Sequence, residues 1–241
     1  MKPWRLLILS VCQLRMRQSR QLLCTIGCWL DIFNESVKLT EEQTGIPSTE
    51  WKTAGRKTIA RPDGEDLAFW QNDGLKQVEG YQKWFSQSGW KIATMPDGRP
   101  GIEWDASVHF GGTPVRFVID IVYQVGEDLV IVDFKTGSRT PFGMIQAGLY
   151  ASGIEKMYGI RPKWGAFFMT RQGILDDLFD LSHLDINYFD YVFSAMNDSI
   201  SKGWFPPSVG ENCKMCSFQD KCSAMGSKDF PLQIPTTEGV S

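Results

Sequence analysis

Two neighbouring apolar segments each contain a single aspartate, and this pattern limits the possible folds more than any other feature of the sequence. Asp120 lies within 117–123, and Asp133 lies within 130–134; both segments are rich in β-branched and aromatic residues. Between them, Gly126-Glu127-Asp128 indicates a short hairpin turn. We therefore expect two paired strands that bring both carboxylates close together at one end of a sheet.

A buried pair of carboxylates repels itself and takes up a proton unless a cation lies between the two groups. Mg²⁺ or Mn²⁺, which prefer oxygen ligands, would relieve that repulsion. Lys135 follows Asp133 by two residues, so its side chain is expected on the same face of the strand. There it could orient water or offset the charge of a phosphate, as metal-assisted phosphodiester hydrolysis requires. The alternative is a surface ion pair between Asp133 and Lys135 that contributes little energy.

The remaining segments predict helices, antiparallel strands, a helix, a strand, a helix and a cysteine-rich tail. This order favours an α/β (α+β) core with a mixed sheet. The expected helices are 31–39, 67–84, 141–158 and 187–202, and the expected strands are 90–95, 101–110, 115–123, 129–134 and 164–170.

The composition is typical of a folded protein, and the chain as a whole has no excess of basic residues. The 241 residues are 42% hydrophobic, which is enough for one sizeable core, and the formal net charge is -3. That charge argues against tight, nonspecific coating of DNA. The apolar stretch 6–12 is too short for a secretory signal, and no run approaches the roughly 20 apolar residues of a membrane span. We therefore expect a cytoplasmic protein.

Three motifs occur in one order along the middle of the chain. They are Asp120, then Asp133-Phe134-Lys135-Thr136-Gly137, and then Gln146-Ala147-Gly148-Leu149-Tyr150. This order resembles the PD-(D/E)XK nuclease superfamily, and within it the RecB-like branch that includes CRISPR-associated and phage exonucleases. The resemblance covers roughly residues 101 to 225. It implies a restriction-endonuclease-like core, with a mixed central sheet flanked by helices.

The resemblance also implies roles for individual residues. Asp120, Asp133 and the backbone carbonyl of Phe134 would bind Mg²⁺ or Mn²⁺, and Lys135 would be catalytic. Gln146 and Tyr150 would face the active site and the DNA. Because these last two lie four residues apart, they share one face of a helix. Taken alone, that spacing is equally typical of an ordinary amphipathic helix.

Three cysteines near the end of the chain have the spacing C-x₂-C-x₅-C: Cys213, Cys216 and Cys222. Thiolates favour zinc or an iron–sulfur cluster, and three of them are one short of the usual four ligands. In iron–sulfur members of the RecB-like branch, an N-terminal cysteine completes a [4Fe–4S] cluster. The resemblance therefore implies Cys24 as the fourth ligand, with Cys28 and Cys12 as alternatives. Zinc, or no metal at all, remains open.

The N-terminal part departs from the pattern of the family. Relatives often place a metal-binding histidine on an N-terminal helix, whereas the corresponding stretch here offers only Asp31 or Glu35. The departure favours an alternative from a different class, a noncatalytic DNA-binding or assembly module that keeps the nuclease fold. A zinc-stapled structural protein is a third possibility.

The leading expectation is a Mg²⁺- or Mn²⁺-dependent deoxyribonuclease, most simply an exonuclease. Its substrate would be DNA that is single-stranded or has free ends, in repair, recombination or phage and CRISPR DNA processing. Recombination or CRISPR-adaptation proteins would be its partners, and no association with a membrane is expected. The expected domains are a helical region (1–89), the nuclease core (90–203), a cysteine-rich metal-cluster segment (204–226) and a flexible tail (227–241).

Overall fold

The computed structural model describes residues 26–51, 64–137, 143–204 and 207–227, together with residues 53, 57, 59 and 62. The helices of this part are α1 (Ile26–Thr44), α2 (Leu67–Ser88), α3 (Ile145–Tyr158) and α4 (Ile186–Ser201). The strands are β1 (Lys91–Ile92), β2 (Ile102–Phe110), β3 (Thr113–Val125), β4 (Asp128–Lys135), β5 (Trp164–Met169), β6 (Ile174–Leu175) and β7 (Phe179–Asp180). The expected mixed class is confirmed.

All of these strands join one mixed sheet. In its main path, β1, β3, β4, β5 and β6 lie side by side in that order, while β2 pairs with β3 and β7 with β5. β3 is antiparallel to β1 and β4, whereas β4 runs parallel to β5. A parallel pair needs a crossover connection, and α3 provides it. The two strands that carry the aspartates are therefore central in the sheet.

Helix α2 covers one face of the sheet. It begins after Asp66, whose side chain accepts a hydrogen bond from the backbone N–H of Phe69 at 2.8 Å. Tyr81 lies edge-on to the rings of Phe134 and Phe168, with centroids 5.2 and 5.4 Å away. Its hydroxyl lies 2.7 Å from that of Tyr123. Because neighbouring strand residues point to opposite faces, the side chains of Asp133 and Lys135 point away from α2.

Helix α3 packs very closely against Phe117 and Leu184 because it has a glycine at each of these contact points. A Cβ atom at Gly153 would overlap the ring of Phe117, and one at Gly148 would overlap the side chain of Leu184. The rings of Phe117 and Tyr150 lie 5.6 Å apart. This packing fixes the helix that carries Gln146 and Tyr150.

The chain divides into two compact units. The first takes in the described residues up to Val108 together with Val115–Ile186, and it holds most of the sheet. The second takes in His109–Pro114 and the described residues from Asn187 onward. In that second unit the backbone N–H of Gly111 donates to Asp190 at 2.8 Å. The domain boundaries expected at residues 89, 203 and 226 stay predictions.

Several elements are longer or shorter than the sequence pattern indicates. Helix α1 spans Ile26–Thr44, whereas the periodicity predicts 31–39, and β1 is only two residues long. Helix α3 begins at Ile145, and the preceding residues of its expected range, 141 and 142, lie outside the described part. In the portion of the chain that the structure describes, no helix is long and apolar enough to span a membrane.

Candidate active site

The register of β3 against β4 brings the two aspartates together. Ile121 pairs with Val132, so one further step along the same register places Asp120 opposite Asp133. In addition, Oδ2 of Asp120 accepts a hydrogen bond from the backbone N–H of Phe134 at 2.9 Å. Both carboxylates thus lie at the same end of the hairpin, as the turn at 126–128 predicts.

Lys135 lies beside this pair. Its Nζ forms an ion pair with Oδ2 of Asp133, and it lies 5.4 Å from the centroid of the Phe167 ring. Phe167 pairs with Asp133 in the parallel register of β5. The lysine is only partly buried, with 26% of its side chain exposed, while 10% of the Asp133 side chain is exposed. The ammonium group can therefore meet a molecule from solvent while it remains bound to the carboxylate.

The surroundings of Asp120 and Asp133 disfavour the charged form of both carboxylates. Burial raises the pKa of Asp120 from its ordinary 3.8 to about 7, and the charge of Asp133 adds to the rise. The hydrogen bond from the N–H of Phe134 and the charge of Lys135 act in the opposite direction. Burial also raises the pKa of Asp133, against the lowering effect of Lys135. An added positive charge would therefore stabilise the charged forms of both aspartates.

Glu103 is a third acid of this region, and the sequence reasoning missed it. Its Oε1 atom is buried, and its charge raises the pKa values of Asp120 and Tyr150. It also has φ 43°, in the left-handed region that a non-glycine residue rarely adopts within a strand. Such strain costs about 1 kcal/mol or more and is common at functional sites. The available signal was an acid framed by Ile102 and Trp104, the same apolar framing that pointed to the two aspartates.

Gln146 and Tyr150 interact directly on α3. Nε2 of Gln146 donates a hydrogen bond to the hydroxyl of Tyr150 at 2.6 Å. Burial raises the pKa of Tyr150, and the charges of Asp133, Asp120 and Glu103 raise it further, against the effect of the Gln146 hydrogen bond. The phenol of Tyr150 therefore lies within the field of the carboxylates. The Gln146 amide is bound to that phenol.

The oxygen ligands of this centre suit a hard divalent cation. Asp120 and Asp133 supply two carboxylates whose raised pKa values show that their charges are poorly compensated. Within the described ranges, no group of three or more His, Cys, Asp or Glu side chains is arranged to hold a metal ion. Asp31 and Glu35, the nearest analogues of the family histidine, are exposed on α1.

A family model decides the classification. The model of the PD-(D/E)XK nuclease superfamily matches residues 36–223, which is most of the chain and includes every residue of the centre. The chain belongs to this superfamily. PD-(D/E)XK proteins are generally nucleases that act on DNA, and they usually use Mg²⁺ or Mn²⁺.

Other comparisons add little to the PD-(D/E)XK assignment. One similar solved structure is the crystal structure of SSO0001, with 10% sequence identity and a TM-score of 0.37. The similarity covers 92% of this chain and 96% of that one. Among curated proteins, none matches this chain.

The cysteine-rich segment of this PD-(D/E)XK chain lies in the second unit. Cys213, Cys216 and Cys222 are free thiols; Cys213 lies in the 3₁₀ turn 211–215, Cys216 directly follows that turn, and Cys222 follows the turn 219–221. The backbone N–H of Gly210 donates to Sγ of Cys213 at 3.3 Å. The three thiols do not form a metal-holding group among the described residues. Cys12 and Cys24 lie outside the described residues, as does the side chain of Cys28.

Proposed function

We propose that this PD-(D/E)XK protein is a Mg²⁺- or Mn²⁺-dependent deoxyribonuclease with its active centre at Asp120, Asp133 and Lys135. The single observation that carries the proposal is the juxtaposition of a buried aspartate, Asp133, and a partly buried one, Asp120, with an ammonium group beside them. A fold alone would not require this arrangement, because two like charges at the centre of a sheet destabilise it. Membership of a nuclease superfamily supports the same reading.

In this proposal, Asp120, Asp133 and the backbone carbonyl of Phe134 hold the cation. A bound Mg²⁺ or Mn²⁺ supplies Lewis-acid polarisation of the phosphate and activation of a water molecule. The aspartates must be ionised to bind it, and the cation in turn offsets the repulsion that raises their pKa values.

Lys135 acts on the phosphate side of the centre. Its ammonium group is held by Asp133 and is partly open to solvent. From that position it offsets the negative charge that develops on the phosphate in the transition state and orients the attacking water. Its three donors allow contacts with Asp133 and with substrate at the same time.

Gln146 and Tyr150 bind the DNA backbone or orient the scissile phosphate next to the carboxylates. Their mutual hydrogen bond fixes both polar groups before substrate arrives. Glu103 adds a further negative charge whose effect reaches Asp120, and so strengthens cation binding.

The finer identity of the reaction rests on the order of the motifs. The RecB-like sequence pattern favours an exonuclease that acts on single-stranded DNA or on free ends, in repair, recombination or phage and CRISPR DNA processing. Recombination or CRISPR-adaptation proteins are the expected partners. The net charge of -3 is compatible with a substrate that engages the protein only locally.

The cysteine-rich segment is proposed to hold a [4Fe–4S] cluster, with Cys24 as the fourth ligand beside Cys213, Cys216 and Cys222. The C-x₂-C-x₅-C spacing and the free thiols support this assignment. Zinc is the less favoured occupant. Iron and sulfide analysis of anaerobically purified protein tests it: iron with equimolar sulfide is expected, and stoichiometric zinc would contradict it.

The test of the nuclease proposal is cleavage of labelled DNA by the purified full chain. Single- and double-stranded substrates are incubated with Mn²⁺, with Mg²⁺, and with excess EDTA. We expect cleavage with either cation and none in EDTA. Binding of DNA without cleavage under every cation condition would instead support the noncatalytic module, which the absence of an N-terminal histidine favours.

A further inference from the structure

The end of β4 is held in place by residues outside the proposed centre. The carbonyl of Lys135 accepts a hydrogen bond from the backbone N–H of Thr170 at 3.0 Å, and the Thr170 hydroxyl lies 3.1 Å from the same oxygen. The carbonyl of Thr136 accepts a hydrogen bond from Nε of Arg171 at 2.6 Å. Two consecutive carbonyls, those of Lys135 and Thr136, are thus held by the two residues that follow β5.

Arg171 is itself held rigidly. Its guanidinium forms a two-pronged ion pair with Glu65, with N···O distances of 2.9 and 3.0 Å. The group also lies over the rings of Trp70 and Phe69, at 4.9 and 5.7 Å from their centroids. Only 20% of the Arg171 side chain and 11% of the Glu65 side chain are exposed. The planar group therefore has one available orientation.

Stability alone is a weak explanation of this arrangement. A buried ion pair costs desolvation energy, and apolar residues of similar volume often stabilise a protein as well or better. An Arg–Glu pair is the better solution where a fixed donor is needed at one point, since the guanidinium offers a rigid fork and a further N–H. In this protein the further N–H donates to the carbonyl of Thr136, the residue after Lys135.

We propose that Arg171, held by Glu65, is a positioning residue that fixes the backbone of Lys135 and Thr136 and thereby places the Lys135 ammonium beside Asp133. It contacts no reacting group in this role. The catalytic consequence rests on the proposed nuclease function, whereas the structural consequence does not.

The expected effect lies in turnover and not in substrate binding. Lys135 has a flexible four-carbon side chain, so a small shift of its backbone moves Nζ by a comparable distance. A misplacement of about 1 Å can cost about 100-fold in rate. Because the Arg171 fork is turned towards Glu65, its loss removes no substrate contact. We therefore expect kcat to fall while KM for DNA stays unchanged.

The experiment compares Arg171→Lys with a matched control, Arg161→Lys. Arg161 also pairs with a glutamate, Glu155, and it donates to the carbonyls of Leu181 and Leu184 at 2.7 and 3.0 Å. Both variants keep the charge and lose the fork. We expect both to lower the unfolding midpoint, but only Arg171→Lys to lower kcat, by about 10-fold or more, with KM for DNA within about 2-fold. Hydrogen–deuterium exchange should become faster in residues 133–137 of Arg171→Lys alone.

Two results would overturn the proposal. One is a kcat and an exchange rate in Arg171→Lys no different from those of Arg161→Lys, and the other is a raised KM with unchanged kcat. If Arg171→Lys fails to fold, Glu65→Gln takes its place, because it keeps the size of the side chain and weakens the hold on the Arg171 guanidinium. If the wild-type protein cleaves no DNA, the nuclease proposal fails on its own, and the exchange in residues 133–137 still decides whether the clamp exists.

Discussion

At the scale of single residues, Asp120 lies where burial and a second carboxylate both act against its charge. The N–H of Phe134 and the ammonium of Lys135 favour its ionised form. A protein keeps such a group only if something else requires it, since an amide or an apolar residue would be more stable there. In the metal-free protein this conflict should be measurable as a dependence of stability on pH.

We expect Asp120→Asn to stabilise the metal-free protein at pH 8. Because the folded pKa is about 7 and the ordinary value is 3.8, the folded state keeps a proton that the unfolded state has lost between these values. The free energy of unfolding of the wild type therefore falls as pH rises through that window, and stays low above it. Asparagine keeps an oxygen for the Phe134 N–H and carries no charge. The gain should be on the order of 2 kcal/mol at pH 8 and close to zero near pH 4.

The measurement is urea unfolding in EDTA at both pH values. Asp128→Asn, at an exposed position on the same hairpin, controls for the removal of one negative charge. A variant of Asp120 that is less stable than the wild type at pH 8 would show that the carboxylate is compensated in the folded protein.

We expect Tyr150→Phe to lower kcat/KM for DNA by about 10-fold with little loss of stability. The change removes the hydroxyl that accepts from Gln146 and lies near the carboxylates, but it keeps the ring that packs on Phe117. Tyr158→Phe on the same helix is the control, because its hydroxyl bonds instead to Asp97 at 3.1 Å. The measurement is steady-state kinetics of both variants. Equal effects of the two changes on kcat/KM would contradict a role of the Tyr150 hydroxyl in catalysis.

At the scale of elements, the β3–β4 hairpin and α3 together build the centre. The hairpin supplies the two aspartates and Lys135, while α3 connects β4 to β5 and carries Tyr150, whose pKa is raised by the charges of those acids. The distance between helix and sheet depends on glycine at the contact points, as at Gly153 against Phe117. A displaced α3 would move Gln146 and Tyr150 away from the aspartates.

We expect Gly153→Ala to destabilise the protein by about 1–3 kcal/mol. In a helix interior, alanine is normally more favourable than glycine by up to about 1 kcal/mol, but here its Cβ atom would overlap the Phe117 ring. Gly210→Ala is the control, since its backbone is extended and a Cβ atom there meets open space. Denaturant unfolding of both variants tests the close approach, and a gain in stability for Gly153→Ala would contradict it.

Local patterns explain which parts of this architecture could be predicted. The alternation of residues along 117–123 and 130–135, with a turn between them, was enough to place Asp120, Asp133 and Lys135 together. Gln146 and Tyr150 were predicted from the resemblance to the nuclease family, and helical spacing adds only that they share one face of a helix. Glu103 was missed because its unusual backbone conformation and its approach to Asp120 depend on how β2 lies on the sheet. Glu65 and Arg171 were missed because 106 residues separate them, and no local pattern links them.

At the scale of the whole molecule, the centre and its supports belong to one of the two compact units. The acids, Lys135, the α3 pair and the Arg171–Glu65 clamp all lie within the first unit. The cysteines Cys213, Cys216 and Cys222 lie in the second. Separate variants can therefore test the hydrolysis proposed at the aspartates and the metal binding proposed at the cysteines.

The most direct test of the central claim is DNA cleavage in Mn²⁺ by Asp133→Asn and Asp128→Asn, with folding checked by circular dichroism. Both changes replace one aspartate of β4 by an isosteric amide, but only Asp133 lies beside Asp120 and Lys135. We predict that Asp133→Asn loses at least about 100-fold in rate and that Asp128→Asn stays within about 2-fold of the wild type. Cleavage by folded Asp133→Asn at the wild-type rate would contradict the assignment of the centre.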